Sequence, residues 1–406
     1  MGSILRKFFP PDRAISDDVG DSVDDERSTS DRRRRNRAER FVTLQQDDVE
    51  TLRPFYDGDY VNQRMTEIRK SINYIRENWQ QYDRFLASLK KLIKEIPQEG
   101  NSKDLVDRAR SLFSSRKDWK ANANEVGGDP FNAIRVYTAE AGYSSFFAVI
   151  YALFRKDNST ESEETIRAAV FLVELLNIDL FNYCLANPSL GNFQGTVYRG
   201  LSVSQEDLTK FRELFTRPIS QRYISVPLGL MSSSLNRAKA EEFLSLSVAT
   251  SDPSKPVFPL LMVIHVIELK PEHLQFYREK FPDSVVTGIC AVNVEHLSYH
   301  RDEREVILRG PFFQVLGLAE GEEIAGRGSH VLEMVMLNSN RDHVTSVRLG
   351  EREAEARQLF GTMVGVTRCE FCVNYCRERG LVDDERDYGA MLAQKREQLT
   401  AMMSQL

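Results

Sequence analysis

The chain has 406 residues, with 54 Lys and Arg against 60 Asp and Glu and a formal net charge of −6, which argues against a protein-wide basic footprint for nucleic acid. Its 41% hydrophobic and 10% aromatic content supplies a core and excludes disorder throughout. Five cysteines are too few and too odd for a secreted disulfide framework, and at about 100–200 residues per domain two or three units are expected, or one large domain with appendages.

Residues 1–45 read as a disordered charged tail. The opening MGSILRKFFP lacks the apolar run of a signal peptide, and Arg6 stands where a myristoylation signal has Ser or Thr. Six acidic residues fall between Asp17 and Glu26 and six arginines between Arg32 and Arg40, with too little apolar surface nearby to offset ordering entropy. A cytoplasmic location is expected, with a nuclear one left open by the basic run at 32–40.

A helical region is expected over 46–128. From Val61 through Ile68, Ile72, Ile75 and Trp79 to Ile96, apolar residues alternate steps of four and three until Pro97, a heptad seam on a helix on the order of 55 Å long. The seam can pack on the same chain or on a second copy, so self-association through it stays open. A shorter helix is expected at 104–120. Apolar helical patterns follow at 131–154 and 165–185, the second interrupted by Glu174 and Asp179, and no apolar run reaches the roughly 18 residues of a membrane helix; no membrane partner is expected. Beyond the loop at 187–195 the period shifts toward two and β-branched residues cluster, giving strand candidates at 195–201, 257–269, 284–292, 304–308, 312–316 and 330–337. After Val347 charged helical sequence returns as a C-terminal extension, 348–406. Helices first and strands after define an α+β class.

Three segments of the strand-rich half carry chemistry. In GTVYRGL, Arg199 lies in an otherwise apolar strand, where an unpaired charge is costly; its planar fork wants either a protein carboxylate or a ligand phosphate, and Gly200 allows close backbone approach. In LMSSSLNRAKAEEFL, three serines run into a helix that Ser234 or Asn236 can cap. In YHRDEREVILRGPFFQV, Glu303 and Glu305 precede the apolar run 306–308. On one strand the two carboxylates would share a face about 6.5–7 Å apart. Such a couplet serves either as a charged edge or turn, or as the two carboxylates that cleave a glycosidic bond.

In this order and spacing, the three segments resemble the arginine–serine–glutamate class of NAD-dependent mono-ADP-ribosyltransferases, arginine-specific enzymes whose fold is shared by ecto-transferases and clostridial-type toxins. VYRGL is similar to the first family motif, SSS with Ala240 and Phe243 to its Ser-Thr-Ser segment and helix, and HLSYHRDEREVILRGPFFQV to its turn and Glu-x-Glu segment. FNAIRVYTAEAGYSSFFAVIYALFR resembles the helical subdomain. The likeness spans about 119–337 and implies a catalytic domain at 129–347: a helical N-terminal part and two packed, mainly antiparallel sheets enclosing an NAD cleft.

By position, the resemblance implies that Arg199 holds an NAD phosphate or the nicotinamide-side ribose and that the Gly200 backbone binds the carboxamide. Ser232 would orient Glu305, and Phe243 would pack on the nicotinamide or its ribose. Glu305 would bind the ribose 2′-hydroxyl and stabilise the cationic transition state, while Glu303 would accept a proton from an attacking guanidinium. NAD is then consumed as substrate, the partner is an acceptor-protein arginine, and no metal is required. Ser233 replaces the central Thr, Leu230 replaces a frequent Phe, and His300 stands where an aromatic is common, beside Tyr299. The last of these keeps open an NAD glycohydrolase with water as acceptor, and the seam keeps open a non-catalytic interaction protein.

Of the remaining candidates, Cys369, Cys372 and Cys376 lack a nearby fourth ligand for a zinc site and read as packing on a helix face. Cys184, Cys290 and His265 read as core residues.

Overall fold

The computed structural model describes residues 42–43, separate positions between 66 and 88, and residues 131–138, 163–225, 230–249, 257–310, 312–341 and 349–406. The charged tail before residue 42, the helix expected at 104–120 and the stretch 139–154 lie outside the described residues.

In chain order the elements are β1 (Val42–Thr43), α1 (Asn132–Thr138), α2 (Glu163–Ala186), α3 (Pro188–Gly191), β2 (Gly195–Val203), α4 (Gln205–Leu214), β3 (Tyr223–Ser225), β4 (Leu230–Ser234), α5 (Arg237–Ala249), β5 (Phe258–Ile267), α6 (Pro271–Lys280), β6 (Val286–Thr287), β7 (Ala291–Asn293), β8 (Glu305–Arg309), β9 (Phe312–Ile324), β10 (Arg327–Leu337), β11 (Asn340–Arg341), α7 (Glu353–Arg379) and α8 (Val382–Gln405). The α+β class holds. The segment expected as one strand at 284–292 is instead β6 and β7, two short strands in different sheets.

The main sheet runs β3-β9-β10-β5-β2-β4-β8-β7, with β1 added beside β2. Only β10 on β5 and β1 on β2 are parallel; the other ladders of this sheet are antiparallel. Between β2 and β4 the pairing shrinks to one position, Tyr198 opposite Ser234. That joint divides the sheet into a larger half ending at β2 and a smaller half, β4-β8-β7. The two halves share a core: Met231, Ala291, Val306 and Leu308 of the smaller pack with Val197, Leu201, Met262 and Ile264 of the larger. The continuous ladder thus behaves as two packed sheets. β5 reads as an apolar run broken only by His265 because it is covered on both faces.

Each half also carries helices on its outer face. Leu230, Val292 and Ile307 of the smaller half pack with Ala133, Ile134 and Tyr137 of α1 and with Phe171, Leu176 and Leu180 of α2. Ile68 and Ile75 of the heptad seam, helical among the described positions, are buried in the same cluster, and the Arg167 guanidinium lies 3.9 Å over the Tyr74 ring. An 18-residue window of α2, Ala169–Ala186, is apolar and long enough to cross a membrane by composition, which corrects the sequence expectation; 75% of it is buried in the fold, where Asp179 accepts from the Ala133 N–H.

The outer face of the larger half carries α7 and α8, an antiparallel pair turned at Gly380, whose φ of 69° suits glycine. Cys369, Cys372 and Cys376 line this packing beside Leu359, Met363, Tyr388 and Leu392. Burial pushes the Cys372 thiol well up and Cys376 up to about 11, so all are inert packing groups at neutral pH. Cys184 is likewise buried, and Cys290 half-buried.

His265 on β5 is a satisfied structural histidine: Nδ1 lies 3.3 Å from Thr196 Oγ1, Nε2 lies 3.5 Å from Glu333, and the ring faces Phe371 and Tyr375. Glu333 also receives Arg379 from α7 at 3.1 Å. The hydrogen bond from His265, with help from Tyr375 and Arg379 against burial, holds the Glu333 carboxyl below its ordinary range. A carboxylate depressed in the folded state contributes stability above its unfolded pKa of about 4.3, lost as pH falls through the lower folded value. Glu333→Gln is therefore expected to cost about 1–2 kcal/mol at pH 7, a charged-hydrogen-bond value discounted for partial exposure. Urea melts should show the gap to wild type closing below about pH 4; a gap independent of pH would contradict this account.

One side chain fastens the two halves at the end away from the β2–β4 joint. Buried Asn338 accepts from the Ala291 N–H at 2.8 Å and donates to the Ala291 and Phe193 carbonyls at 2.9 Å, while its own N–H meets the Ile267 carbonyl. An alanine there would strand buried backbone groups at about 1–3 kcal/mol each. Asn338→Ala is expected to lower unfolding free energy by about 3 kcal/mol, read as a shifted urea midpoint with unchanged slope.

Candidate active site

The β2–β4 joint and its continuation into β8 gather the chemistry. On β2, Arg199 shares the parity of Val197 and Leu201, the residues that face the shared core, and is 1% exposed. Its Nη1 donates to the Ser232 carbonyl on β4 at 2.6 Å. The arginine therefore stitches the larger half to the smaller across the point where strand pairing nearly stops. Beside it, the β2 edge at Gly200 and Leu201 pairs with Val42 and Thr43 of β1.

The three serines of β4 have separate jobs. Ser232 Oγ lies 2.9 Å from the Tyr137 hydroxyl of α1. Ser233 donates to the Val306 carbonyl of β8 at 2.8 Å. Ser234 donates to the Glu303 carbonyl at 2.7 Å and accepts the Asn236 N–H. Asn236 Oδ1 in turn accepts the Ala238 N–H in the first turn of α5, so it is Asn236 that caps this helix.

The two glutamates do not share a strand, which selects the turn among the readings the sequence left open. Glu303 ends a 3₁₀ turn, Arg301–Glu303, and β8 begins at Glu305. Arg304 between them has φ 47°, a left-handed conformation that costs a non-glycine residue roughly 1–2 kcal/mol. The surroundings over-determine that turn: the Leu235 N–H binds the Arg304 carbonyl, the Val294 N–H binds the Glu305 carbonyl, and Ser234 holds the Glu303 carbonyl. The result is that both Glu303 and Glu305 are fully buried while Arg304 points to solvent.

Cross-strand register sets the distances between roles. Ser234 stands directly opposite Glu305 and Ser232 opposite Ile307. Ser232 and Glu305 are thus diagonal neighbours on one face, at a backbone separation of roughly 7–8 Å that a long side chain can span. The turn leading in presents Tyr299 to solvent, 60% exposed, with His300 half-buried beside it. Lys239 of α5 reaches Asp302 of the same turn at 3.4 Å.

Arg199, Ser232, Glu303 and Glu305 therefore occupy adjacent strands and one turn, linked by direct hydrogen bonds or register. Phe243 lies on α5 in an apolar cluster with Leu244, Val248 and Val257, with the Lys239 ammonium 5.5 Å from its ring centre. Tyr137 was not singled out by sequence. Its signal is the helical spacing Ala133, Ile134, Tyr137, which buries the phenol ring and so demands a partner for its hydroxyl. Among the described residues no group of three His, Cys, Asp or Glu side chains could hold a metal ion.

No family model matches the chain, and no curated protein matches it by sequence. Among solved structures it is similar to the ADP-ribosyltransferase HopU1 of Pseudomonas syringae pv. tomato DC3000, at 17% identity and TM-score 0.36 over 62% of this chain and 96% of that one. It is also similar to the type III effector XopAI of Xanthomonas axonopodis pv. citri, at 11% identity and TM-score 0.35 over 68% and 98%. The Vis toxin of Vibrio splendidus aligns at 12% identity and TM-score 0.32 over 59% and 88%. At these values the likenesses carry no residue-by-residue correspondence.

Proposed function

We propose that this chain is an NAD-dependent mono-ADP-ribosyltransferase that moves ADP-ribose onto arginine side chains of a protein and releases nicotinamide. What supports the reading is that Arg199, Ser232 and two buried glutamates lie on the adjacent strands β2, β4 and β8 and the turn before β8, with Arg199 bonded to the Ser232 carbonyl and Ser234 holding the Glu303 carbonyl beside the strand opposite Glu305.

The chemistry follows from that set. Breaking the bond between ribose C1′ and the nicotinamide nitrogen leaves the electron pair on nicotinamide, which departs neutral and needs no general acid. Positive charge develops on the ribose, and a fixed carboxylate facing it stabilises the transition state more than the ground state. Glu305, on the strand and braced by register, takes that role; Arg199 grips an NAD phosphate. The incoming arginine nitrogen forms the new bond to C1′ and gives up a proton, which Glu303 accepts, because a protonated guanidinium is a very poor nucleophile. On the nicotinamide side the reading adds the Gly200 backbone, which pairs with β1 in this structure, and Phe243, which is buried in its apolar cluster; 129–347 is the catalytic domain.

Purified protein incubated with NAD labelled in the adenylate part and polyarginine should transfer label to the polymer and release nicotinamide in equal amounts. Label that never reaches polyarginine, with no nicotinamide released, would refute the reading. Nicotinamide release without labelled polymer would favour the hydrolase alternative, which His300 in the exposed turn keeps in play.

A further inference from the structure

Ser232 is held at both of its polar ends. Its carbonyl accepts from Arg199, and its hydroxyl lies 2.9 Å from the hydroxyl of Tyr137. Tyr137 and Ser232 are 0% and 1% exposed, so neither group can trade this contact for bulk water.

The position of Tyr137 is itself enforced. The N-terminus of α1 is pinned where the Ala133 N–H donates to Asp179 of α2 at 2.8 Å. Ala133 and Ile134 sit in the core cluster that α2 and the smaller half of the sheet share. Tyr137 follows Ala133 by four residues, one helical turn, and so emerges on the same face, over β4.

A serine hydroxyl has one proton to donate and two lone pairs. A phenol is the more acidic partner and therefore the better donor, which assigns the proton of this contact to Tyr137 and the lone pair to Ser232. The Ser232 proton is then left to point elsewhere. On the same face, diagonally across the β4–β8 ladder, stands Glu305, whose carboxylate accepts a charge-assisted hydrogen bond more strongly than any carbonyl nearby.

We propose that Tyr137 is a positioning residue: by donating to Ser232 it fixes the rotamer of that serine and directs its remaining proton toward Glu305. Its effect on NAD cleavage passes through Ser232. The helical layer thereby contributes to the site without touching the dinucleotide. The inference rests on the functional reading above.

The test measures nicotinamide release from NAD by wild type, Tyr137→Phe, Ser232→Ala and the double variant, with a thermal melt of each. Phenylalanine keeps the ring packing and removes only the hydroxyl. Tyr137→Phe is expected to lower kcat about tenfold with the KM for NAD within about twofold, since binding contacts are kept and only transition-state alignment is lost. In the Ser232→Ala background the same change should cost nothing further, because residues acting through one another are not additive. Wild-type kcat in Tyr137→Phe, or losses that multiply in the double variant, would overturn the proposal, as would a lowered melting temperature with kcat intact. Ser232→Ala leaves Tyr137 in place, so a kcat unaffected by it would overturn the proposal even if Tyr137→Phe proved unstable. A wild-type protein that does not release nicotinamide at all overturns the functional reading, and this inference with it.

Discussion

Glu305→Gln is expected to slow nicotinamide release from NAD by about 10²–10³-fold, the loss seen when one preorganised stabilising group is removed from a transition state. The substitution is nearly isosteric, which matters because Glu305 is fully buried at the start of β8, opposite Ser234. An alanine would leave a cavity and confuse a folding defect with a chemical one. Glutamine retains the volume and one accepting oxygen, replaces the other oxygen by an NH2 donor and removes the negative charge. The loss should fall on kcat, since the charge is needed where the ribose becomes cationic and much less in the bound ground state. A variant that releases nicotinamide at the wild-type rate would remove Glu305 from the chemistry and the transferase assignment with it.

Glu303→Gln should separate the two reactions that remain open. Transfer to polyarginine is expected to fall about 10²–10⁴-fold, the contribution of a general base, while hydrolysis of NAD stays within a few-fold of wild type. The reason lies in the backbone. Glu303 closes the 3₁₀ turn and is held by its carbonyl on Ser234, and Glu305 begins the strand. The Glu303 side chain can therefore change character while the turn, Arg304 and the placement of Glu305 stay put. Equal losses in transfer and hydrolysis would mean that Glu303 supports the site as a whole rather than accepting the proton of the acceptor. Measuring both products in one incubation makes the comparison internal.

How much of this was legible in the sequence differs from residue to residue. β2, β5 and β10 were readable because their apolar and β-branched runs are long and both faces are covered. α4 went unread although its start carries a capping box, in which Ser204 and Asp207 exchange hydrogen bonds. β3 is three residues long, Tyr223–Ser225, and exists only because β9 supplies its partner; no local pattern announces such a strand. The segment at 284–292 was misread because its composition is strand-like while Gly288 stands between β6 and β7, which join different sheets. The Glu-x-Glu couplet was recognisable as a pair and a turn before the strand was one of its open readings, but the left-handed Arg304 that joins turn to strand has no signature in composition.

From its residues alone the chain determines local matters: which stretches form strands or helices, which serines and asparagines can cap, and which charged groups stand in apolar surroundings that make them costly unless used. These follow from side-chain volume, branching and period, properties that each segment carries with it. Tertiary structure decided the rest. Only folding brings Arg199 of β2 against the carbonyl of Ser232, lays Tyr137 from a helix 95 residues earlier over the same serine, and turns the backbone at Arg304 so that both carboxylates face inward. The reason is physical: hydrogen bonds between residues far apart in sequence depend on register, crossing and burial, which are set by the packing of whole layers and are written in no single segment.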